Sequence, residues 1–242
     1  MNLIIDVGNT RVKLAVYEKN RQIYKEVVSK GELLISVEKK INKYPKIDFA
    51  IISSVALFSK KEEKELRSLV KLVVLTNKLN IPFLNKYSTP KTLGVDRIAL
   101  VASASMQFKH ENVLVIDAGT CVTFDFINAK NEYLGGAISP GLTIRYEALH
   151  NLTAKLPRLK PVDGEFFIGN STESSIHSGV INGLVNEIDG QIVNYQSNYK
   201  DLTVILTGGD TNFLAKRLKS SIFANSNFLL EGLNYILEIN KY

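Results

Sequence analysis

The sequence predicts an α/β fold with largely parallel sheets. Apolar strands alternate with amphipathic segments along all 242 residues, which is the order that a parallel sheet with covering helices requires. A second observation is an internal repeat, since the pattern of residues 3–28 returns at residues 114–139. A third is that apolar strands end in polar or glycine residues, at Asp6, Asp117 and Gly208. These features predict two related α/β halves.

Composition and charge are those of an ordinary globular protein, with 45% apolar and 22% charged residues. No apolar stretch is long enough to span a bilayer, and Asp6 interrupts the N-terminal apolar run, so we expect no membrane segment and no signal peptide. The single cysteine, Cys121, excludes an intrachain disulfide framework and favours the cytoplasm. The net charge of +6 comes from lysines and arginines scattered among glutamates, so we expect no nucleic-acid partner.

The first half alternates between strand and helix patterns. The predicted elements are, in order, strands at 2–8, 12–18 and 21–28, a helix through Leu33, Leu34, Val37 and Ile41, a strand at 49–55, a helix near 60–71 and a strand at 72–75.

In the second half, the repeat is followed by a long amphipathic helix at 172–196 and an apolar strand at 202–209. Each copy of the repeat is a strand ending in Asp, a turn with Gly and Thr, and two further strands. A hairpin turn explains the glycine and threonine, but it does not explain why Asp6 and Asp117 end both strands. Turn amides there could bind phosphate while the carboxylates hold a cation. The alternative is a chance similarity of two hairpins.

Residues 94–97, Gly-Val-Asp-Arg, begin a predicted helix. Asp96 is explained by the helix dipole, which favours acids in the first turn, and Arg97 by a surface position. An acid and an arginine side by side could also accept a hydroxyl proton and bind a carboxylate. The residues by themselves leave both interpretations open.

Other residues of interest have an ordinary structural explanation, and some of them also have a functional one. The glycines of residues 135–142 form plain turns or allow the backbone to approach a ligand closely. Ser171 and Thr172 are the expected N-terminus of a long helix. Lys13 is either a solvated strand lysine or one that reaches bound phosphates.

Several kinds of site lack support in this sequence. Cys121 follows a threonine inside a predicted strand, so we expect it to be packed. Neither a phosphate-binding P-loop motif nor a dinucleotide fingerprint is present. Three isolated histidines lack the spacing of metal ligands: His110, His150 and His177.

In combination, five motifs closely resemble the type III pantothenate kinase family over nearly the whole chain. They are DVGNTRVK at 6–13, GVDR at 94–97, DAGTCVTFD at 117–125, GGAISPGL at 135–142 and TGG at 207–209. The first motif by itself indicates only the broader acetate kinase, Hsp70 and actin superfamily. The Gly-x-Asp-Arg and Gly-Gly-x-Ile-x-Pro-Gly elements make the resemblance specific.

The resemblance implies two actin-like (ribonuclease H-like) domains, here at 1–110 and 111–242, with ATP in the cleft between them. It implies transfer of the ATP γ-phosphoryl group to the primary hydroxyl of pantothenate. The product is 4′-phosphopantothenate, formed in the first step of coenzyme A synthesis. Members of this family act as homodimers and need Mg²⁺ and a monovalent cation, K⁺ or NH₄⁺.

The resemblance also implies roles for individual residues, of which Asp96 is the catalytic base. Asp117 is the monovalent-cation ligand, Asp6 lies near Mg²⁺, and Thr120 contacts ATP. The first phosphate loop consists of Asp6, Val7, Gly8, Asn9, Thr10, Arg11, Val12 and Lys13. Pantothenate is held by Tyr87, Gly94, Val95, Asp96, Arg97 and, from the second copy of the dimer, Thr172. Around Thr172 the chain departs from the family, which often has Asn before this threonine and Gln at His177.

Two other functions remain as alternatives. One is a different small-molecule kinase or phosphatase with the same fold, and the other is a non-catalytic regulator that retains the ATP-binding fold. The intact set of Asp6, Lys13, Asp96, Arg97 and Asp117 favours catalysis over the regulator. The Gly-x-Asp-Arg element favours pantothenate over other acceptors.

Overall fold

The structure is a computed structural model that describes residues 1–54, 59–164 and 167–241. Its contacts divide the chain into two compact units. Unit 1 comprises Met1–Lys109, Asn131–Tyr133 and Asn227–Tyr242, and unit 2 comprises His110–Lys130 and Leu134–Ser226. Strands and helices alternate in both units, which confirms the predicted α/β class.

The described residues contain eleven strands and eight α-helices. The strands are β1 (Asn2–Val7), β2 (Val12–Glu18), β3 (Arg21–Val28), β4 (Phe49–Ser54), β5 (Lys71–Val74), β6 (Leu84–Asn85), β7 (Asn112–Ala118), β8 (Cys121–Ile127), β9 (Glu132–Pro140), β10 (Leu202–Thr207) and β11 (Phe223–Ala224). The helices are α1 (Leu33–Lys43), α2 (Lys60–Leu69), α3 (Val95–Gln107), α4 (Leu142–Asn151), α5 (Thr172–His177), α6 (Gly183–Asn198), α7 (Thr211–Ala215) and α8 (Phe228–Ile239). A π-helical turn, Ser178–Asn182, joins α5 to α6.

Unit 1 is built on a sheet with the strand order β3-β2-β1-β4-β5. β1 pairs in parallel with β4, so that Asp6 lies beside Ser53, and it pairs antiparallel with β2, so that Asp6 also lies beside Lys13. Directly paired residues point to the same face of a sheet, because side chains alternate along each strand. The three polar side chains therefore share one face. The opposite face packs on α1 and α2 through a buried apolar cluster that includes Leu3, Ile5, Leu14, Val37 and Leu66.

Unit 2 repeats this strand order. Read from β9, its strands are β9-β8-β7-β10-β11, which matches unit 1 read from β3. β7 pairs antiparallel with β8 and in parallel with β10, as β1 does with β2 and β4. The internal repeat of the sequence is therefore confirmed as a repeat of topology. The core of unit 2 lies under α4 and α6 and includes Leu114, Phe124, Tyr146, Leu184 and Ile188.

The last helix, α8, has no counterpart in the sequence prediction. It packs on α3 and β1 of unit 1, with Gly232 against the backbone of Ala99 and Asn234 accepting a hydrogen bond of 2.7 Å from Asn2. The compact units thus differ from the predicted ranges of 1–110 and 111–242. The difference arises because α8 packs on α3, β1 and β4, which all belong to unit 1.

Two local features also differ from the sequence prediction, and the last residue of a third lies outside the described residues. The strand predicted at 49–55 ends at Ser54 among the described residues, and Val55 lies outside them. The helix predicted at 172–196 is interrupted by the π-helical turn. Cys121 is exposed rather than packed, because it is the first residue of β8 after an open turn. Within the described ranges, every helix is too short or too polar to cross a bilayer.

Gly136 of β9 lies so close to β8 that a side chain there would collide with the main chain. A Cβ atom at this position would overlap the carbonyl oxygen of Phe124. We expect Gly136→Ala to lower the free energy of unfolding by about 1–3 kcal/mol, as measured by urea denaturation. Gly190→Ala in α6 is the control, because a Cβ there meets no atom within 4 Å. The control should stabilise the protein by about 1 kcal/mol, and equal effects of the two substitutions would contradict this packing.

Candidate active site

The turn after β1 is open to solvent and rich in donors. The Gly8 N–H donates to the carbonyl of Arg11 at 3.0 Å, which closes the turn, and the side chains of residues 9–11 are exposed. Val7 and Val12 point into the apolar core. Of the predicted phosphate loop, these two valines can therefore offer only their backbone to a ligand.

Asp6 lies at the end of β1 with only 7% of its surface exposed. Burial raises the pKa of its carboxyl group, because an ionised group loses hydration there. The Lys13 ammonium group, 3.5 Å from the Asp6 carboxylate, opposes this shift, and the charge of Asp96 adds to it. The ion pair brings the predicted cation ligand and the predicted phosphate lysine together in unit 1.

Ser53 belongs to the same site, and the sequence prediction did not include it. Its side chain is fully buried at the end of β4 beside Asp6, and its hydroxyl has no hydrogen-bond partner among the described residues. A buried hydroxyl without a partner is unusual in a native protein. The only signal in the sequence is a pair of serines at the end of an apolar strand. A buried carboxylate, a lysine and a buried hydroxyl fit a magnesium triphosphate, since Mg²⁺ is commonly held by one or two carboxylates together with phosphate oxygens.

The start of α3 brings Asp96 and Arg97 together as predicted from residues 94–97. The Asp96 carboxylate accepts a hydrogen bond of 2.9 Å from the backbone N–H of Arg97, and Gly94 is the N-cap residue of the helix. This arrangement fits the helix-dipole interpretation of Asp96. The hydrogen bond also fixes the orientation of the carboxylate, which the dipole does not require.

Arg97 and Tyr87 are neighbours in unit 1. Arg97 is only 5% exposed, and its guanidinium carbon lies 5.5 Å from the centre of the Tyr87 ring. The Tyr87 backbone N–H donates to the side chain of Asn85 at 2.9 Å. A guanidinium group stacks on aromatic faces, and its planar fork matches the geometry of a carboxylate.

In unit 2, the second turn is packed against the glycine-rich element of residues 135–142. The Gly119 N–H donates to the carbonyl of Cys121 at 2.9 Å, and the Gly141 N–H donates to the carbonyl of Thr120 at 3.0 Å. A side chain on Gly141 would overlap the Gly119 carbonyl. This close backbone approach explains the Pro-Gly pair, and it leaves the Thr120 side chain exposed.

Asp117, at the end of β7, lies against the turn that follows β10. Gly208 in that turn has φ = +100°, a conformation that favours glycine, and a Cβ there would collide with the Asp117 carboxylate and the Ala118 carbonyl. The Asp210 N–H donates to the same Ala118 carbonyl at 2.9 Å. A carboxylate and a backbone carbonyl are oxygen donors of the kind that suits a hard monovalent cation.

Thr172 lies elsewhere in unit 2, at the first turn of α5, with its side chain exposed. It lines a groove of about 1180 Å³ between α4 and α5. Apolar side chains dominate the groove, and within the described part of unit 2 its lining includes neither Asp117 nor Thr120. The apolar lining residues are Ala148, Leu149, Leu152, Leu156, Ile176 and Val180.

The described residues contain no cluster of three or more His, Cys, Asp or Glu side chains placed to hold a metal ion. His177 instead contacts the buried Tyr146, whose hydroxyl lies 2.8 Å from the histidine Nδ1. Burial raises the pKa of Tyr146 to about 12. These two residues therefore form part of the core of unit 2.

Solved structures with the same fold cover almost the whole chain. A Baf family transcriptional activator from Campylobacter jejuni is 21% identical, with a TM-score of 0.65 over 99% of this chain and 98% of its own. A glucokinase from an Antarctic psychrotroph is 14% identical, with a TM-score of 0.52 over 98% of each chain. At these identities the similarity concerns the fold alone. It confirms the predicted actin-like fold of two α/β domains.

Sequence relatives are much closer. The type III pantothenate kinase of Flavobacterium johnsoniae is 51% identical over 97% of this chain and 96% of its own. The type III pantothenate kinase of Christiangramia forsetii is 51% identical over 100% of this chain and 99% of its own. The family model for type III pantothenate kinase matches residues 2–194. The chain therefore belongs to the type III pantothenate kinase family.

Proposed function

We propose that this protein transfers the γ-phosphoryl group of ATP to pantothenate, giving 4′-phosphopantothenate for coenzyme A synthesis. The observation that carries the proposal is the Asp6–Lys13 ion pair at the end of β1, in the same unit as Asp96 and Arg97 in the first turn of α3. Unit 1 thus contains a phosphate-binding turn, a base and an arginine for the substrate carboxylate. The single cysteine accords with a cytoplasmic location.

The residues of unit 1 would divide the reaction among them. Arg97 and Tyr87 hold the carboxylate end of pantothenate, and Asp96 takes the proton of its primary hydroxyl as the oxygen attacks the γ-phosphorus. The bond from that phosphorus to the departing ADP oxygen then breaks. The amides of the Gly8 turn and the Lys13 ammonium group stabilise the charge on the phosphate oxygens. Phosphoryl transfer depends mainly on such positioning and charge stabilisation.

Two cations complete the proposal. Mg²⁺ would be held near Asp6 and supplies charge neutralisation at the triphosphate when bound. K⁺ or NH₄⁺ would be held by Asp117 in unit 2, where Thr120 offers its exposed hydroxyl to ATP.

The direct test is an ATP-dependent assay on the purified protein with pantothenate as the acceptor. We expect 4′-phosphopantothenate, identified by mass spectrometry, and ADP in equal amounts, with faster turnover when K⁺ or NH₄⁺ is present. Reactions without pantothenate, and with a hexose in its place, are the controls. ADP release that does not depend on pantothenate, or preference for the hexose, would overturn the proposal.

Arg97 provides a separate prediction about the acceptor. A charged hydrogen bond contributes about 1.5–3 kcal/mol, so we expect Arg97→Ala to raise the KM for pantothenate by roughly 10- to 100-fold. Arg97→Lys should recover only part of this loss, because lysine lacks the planar fork. The KM for ATP is measured in the same experiments and should stay unchanged. An unchanged KM for pantothenate would contradict the proposal that Arg97 binds the substrate carboxylate.

We further propose that the protein is a homodimer in which the groove between α4 and α5 receives a second copy of the chain. The groove holds Thr172, the residue expected to reach over pantothenate from the second copy. Large apolar side chains are exposed near it, with Leu152 at 83%, Phe167 at 89% and Ile168 at 82%. Exposed apolar surface of this extent is typical of an interface. A dimer would bury these side chains and bring Thr172 of one copy to the pantothenate bound by the other copy.

Leu152→Glu tests the dimer. Because Leu152 is 83% exposed within one chain, the substitution should leave the fold intact while placing a charge in the interface. We expect a monomer by analytical ultracentrifugation and a raised KM for pantothenate. Ile35→Glu is the control, since Ile35 is 56% exposed on α1 of unit 1. A Leu152→Glu protein that remains a dimer would contradict this interface.

A further inference from the structure

A buried aromatic residue, Tyr133, lies against the ring of Tyr87. The two ring centres are 5.9 Å apart and the planes differ by 17°, which is an offset stack. Tyr133 has no exposed surface, and its ring also contacts Phe83, at 5.9 Å and 74° in an edge-on arrangement. Together with the Arg97 guanidinium carbon, 5.5 Å from the Tyr87 ring centre, these residues form a continuous series from the core to the substrate arginine.

The backbone around Tyr133 also holds the segment that carries Tyr87. The Lys86 N–H donates to the carbonyl of Tyr133 at 2.9 Å, and the Leu84 N–H donates to the carbonyl of Asn131 at 2.9 Å. Asn131 is itself anchored in unit 1, because its side chain donates to Pro82 at 2.8 Å and accepts from Ser105 at 2.7 Å. Tyr133 therefore restrains the Tyr87 segment through both its ring and its main chain.

This restraint matters because Tyr87 is only partly buried. A partly exposed ring can rotate about its side-chain torsions, and such a rotation would move the ring face that lies near Arg97. A stacked partner that is itself locked in the core removes that freedom. Binding sites need such supporting residues. When a contacting ring is loosely held, the site binds its ligand more weakly even though every contacting group is still present.

We propose that Tyr133 is a positioning residue for pantothenate, whose ring holds Tyr87 in the orientation that sets Arg97 for the substrate carboxylate. The proposal rests on the proposed function, in which Tyr87 and Arg97 form the acceptor site. Tyr133 acts through Tyr87 and does not touch the substrate. Its loss should therefore weaken pantothenate binding and leave the ATP side of the reaction unchanged.

The test compares two substitutions at one position. Tyr133→Leu removes the ring and keeps an apolar side chain, and we expect it to raise the KM for pantothenate by about 3- to 10-fold with the KM for ATP unchanged. Tyr133→Phe keeps the stack and should restore the KM for pantothenate to near the wild-type value. If Tyr133→Leu does not fold, Tyr133→Met takes its place, since a flexible methionine fills irregular space without an aromatic face.

Two controls separate positioning from packing. Tyr17→Leu removes another buried tyrosine of unit 1, 1% exposed, and should lower the melting temperature without changing the KM for pantothenate. In a Tyr87→Leu background, Tyr133→Leu should have no further effect on that KM, because the two residues act as one unit.

The outcomes are distinct. If the wild-type protein does not phosphorylate pantothenate, the proposed function and this proposal both fail. If the wild type is active, three results overturn only the positioning role: a Tyr133→Leu protein with an unchanged KM for pantothenate, an equal rise in both KM values, or additive effects with Tyr87→Leu.

Discussion

Asp96→Asn is expected to lower kcat by about 10²- to 10⁴-fold, the usual contribution of a general base. Asparagine keeps the shape of the side chain, and its carbonyl oxygen can still accept the hydrogen bond that Asp96 receives from the Arg97 N–H at 2.9 Å. It cannot take the proton of the attacking hydroxyl. Binding of an unreactive ATP analogue, measured by calorimetry, should therefore be unchanged.

The control for this variant addresses the helix-dipole interpretation of Asp96. Glu62 is an acid in the first turn of α2, where its carboxylate accepts a hydrogen bond from the Ser59 N–H. In the dipole interpretation, Asp96 has the same purely structural role in the first turn of α3. Glu62→Gln should lower the free energy of unfolding by roughly 0.3–1 kcal/mol and leave kcat alone. If Asp96→Asn behaves in the same way, with near-normal turnover, Asp96 is not the base.

Asp6→Asn is expected to abolish most turnover without lowering the melting temperature. Loss of one preorganised charge in an active site lowers kcat by about 10²- to 10³-fold, and here the carboxylate would orient Mg²⁺ at the triphosphate. Stability should not suffer, because burial raises the pKa of Asp6 and so disfavours its ionised form in the folded protein. The measurements are kcat at saturating Mg²⁺ and calorimetric melting.

Lys13 supplies the comparison for Asp6, because the two side chains form an ion pair at 3.5 Å. If the pair were the only role of Asp6, Lys13→Met and the double variant would lose the same activity as Asp6→Asn. We expect the double variant to lose more than either single one, since lysine and carboxylate contact different charges. A melting temperature that falls by many degrees in Asp6→Asn would instead indicate a structural role.

Local patterns predicted most of the elements that position the site. The strand ends at Asp6 and Asp117, the turns after them and the helix start at Asp96 all follow from short-range rules of alternation, turn chemistry and capping. The duplicated strand order of the two units was also visible, as a repeat of residues 3–28. Each of these signals lies within a few residues of the feature that it predicts.

Features built from distant segments were not predicted. α8 joins unit 1 because α3 and β1 cover its apolar face, and no local pattern encodes that choice of partner. Ser53 becomes part of the site only through the parallel register of β1 and β4. Tyr133 reaches Tyr87 across 46 positions of the chain. The exposure of Cys121 was also not predicted, although it depends on nearby residues, because the strand pattern did not indicate where β8 begins.

The α/β class, the repeat and the residues of the phosphate and acceptor motifs could be predicted from the sequence, because these depend on side-chain chemistry and on spacing along the chain. The tertiary fold was needed to establish which of those residues contact one another. The strand register pairs Asp6 with Lys13 and with Ser53, and ring packing joins Arg97 to Tyr87. Electrostatic coupling and packing depend on distance in space, which the order of residues does not contain.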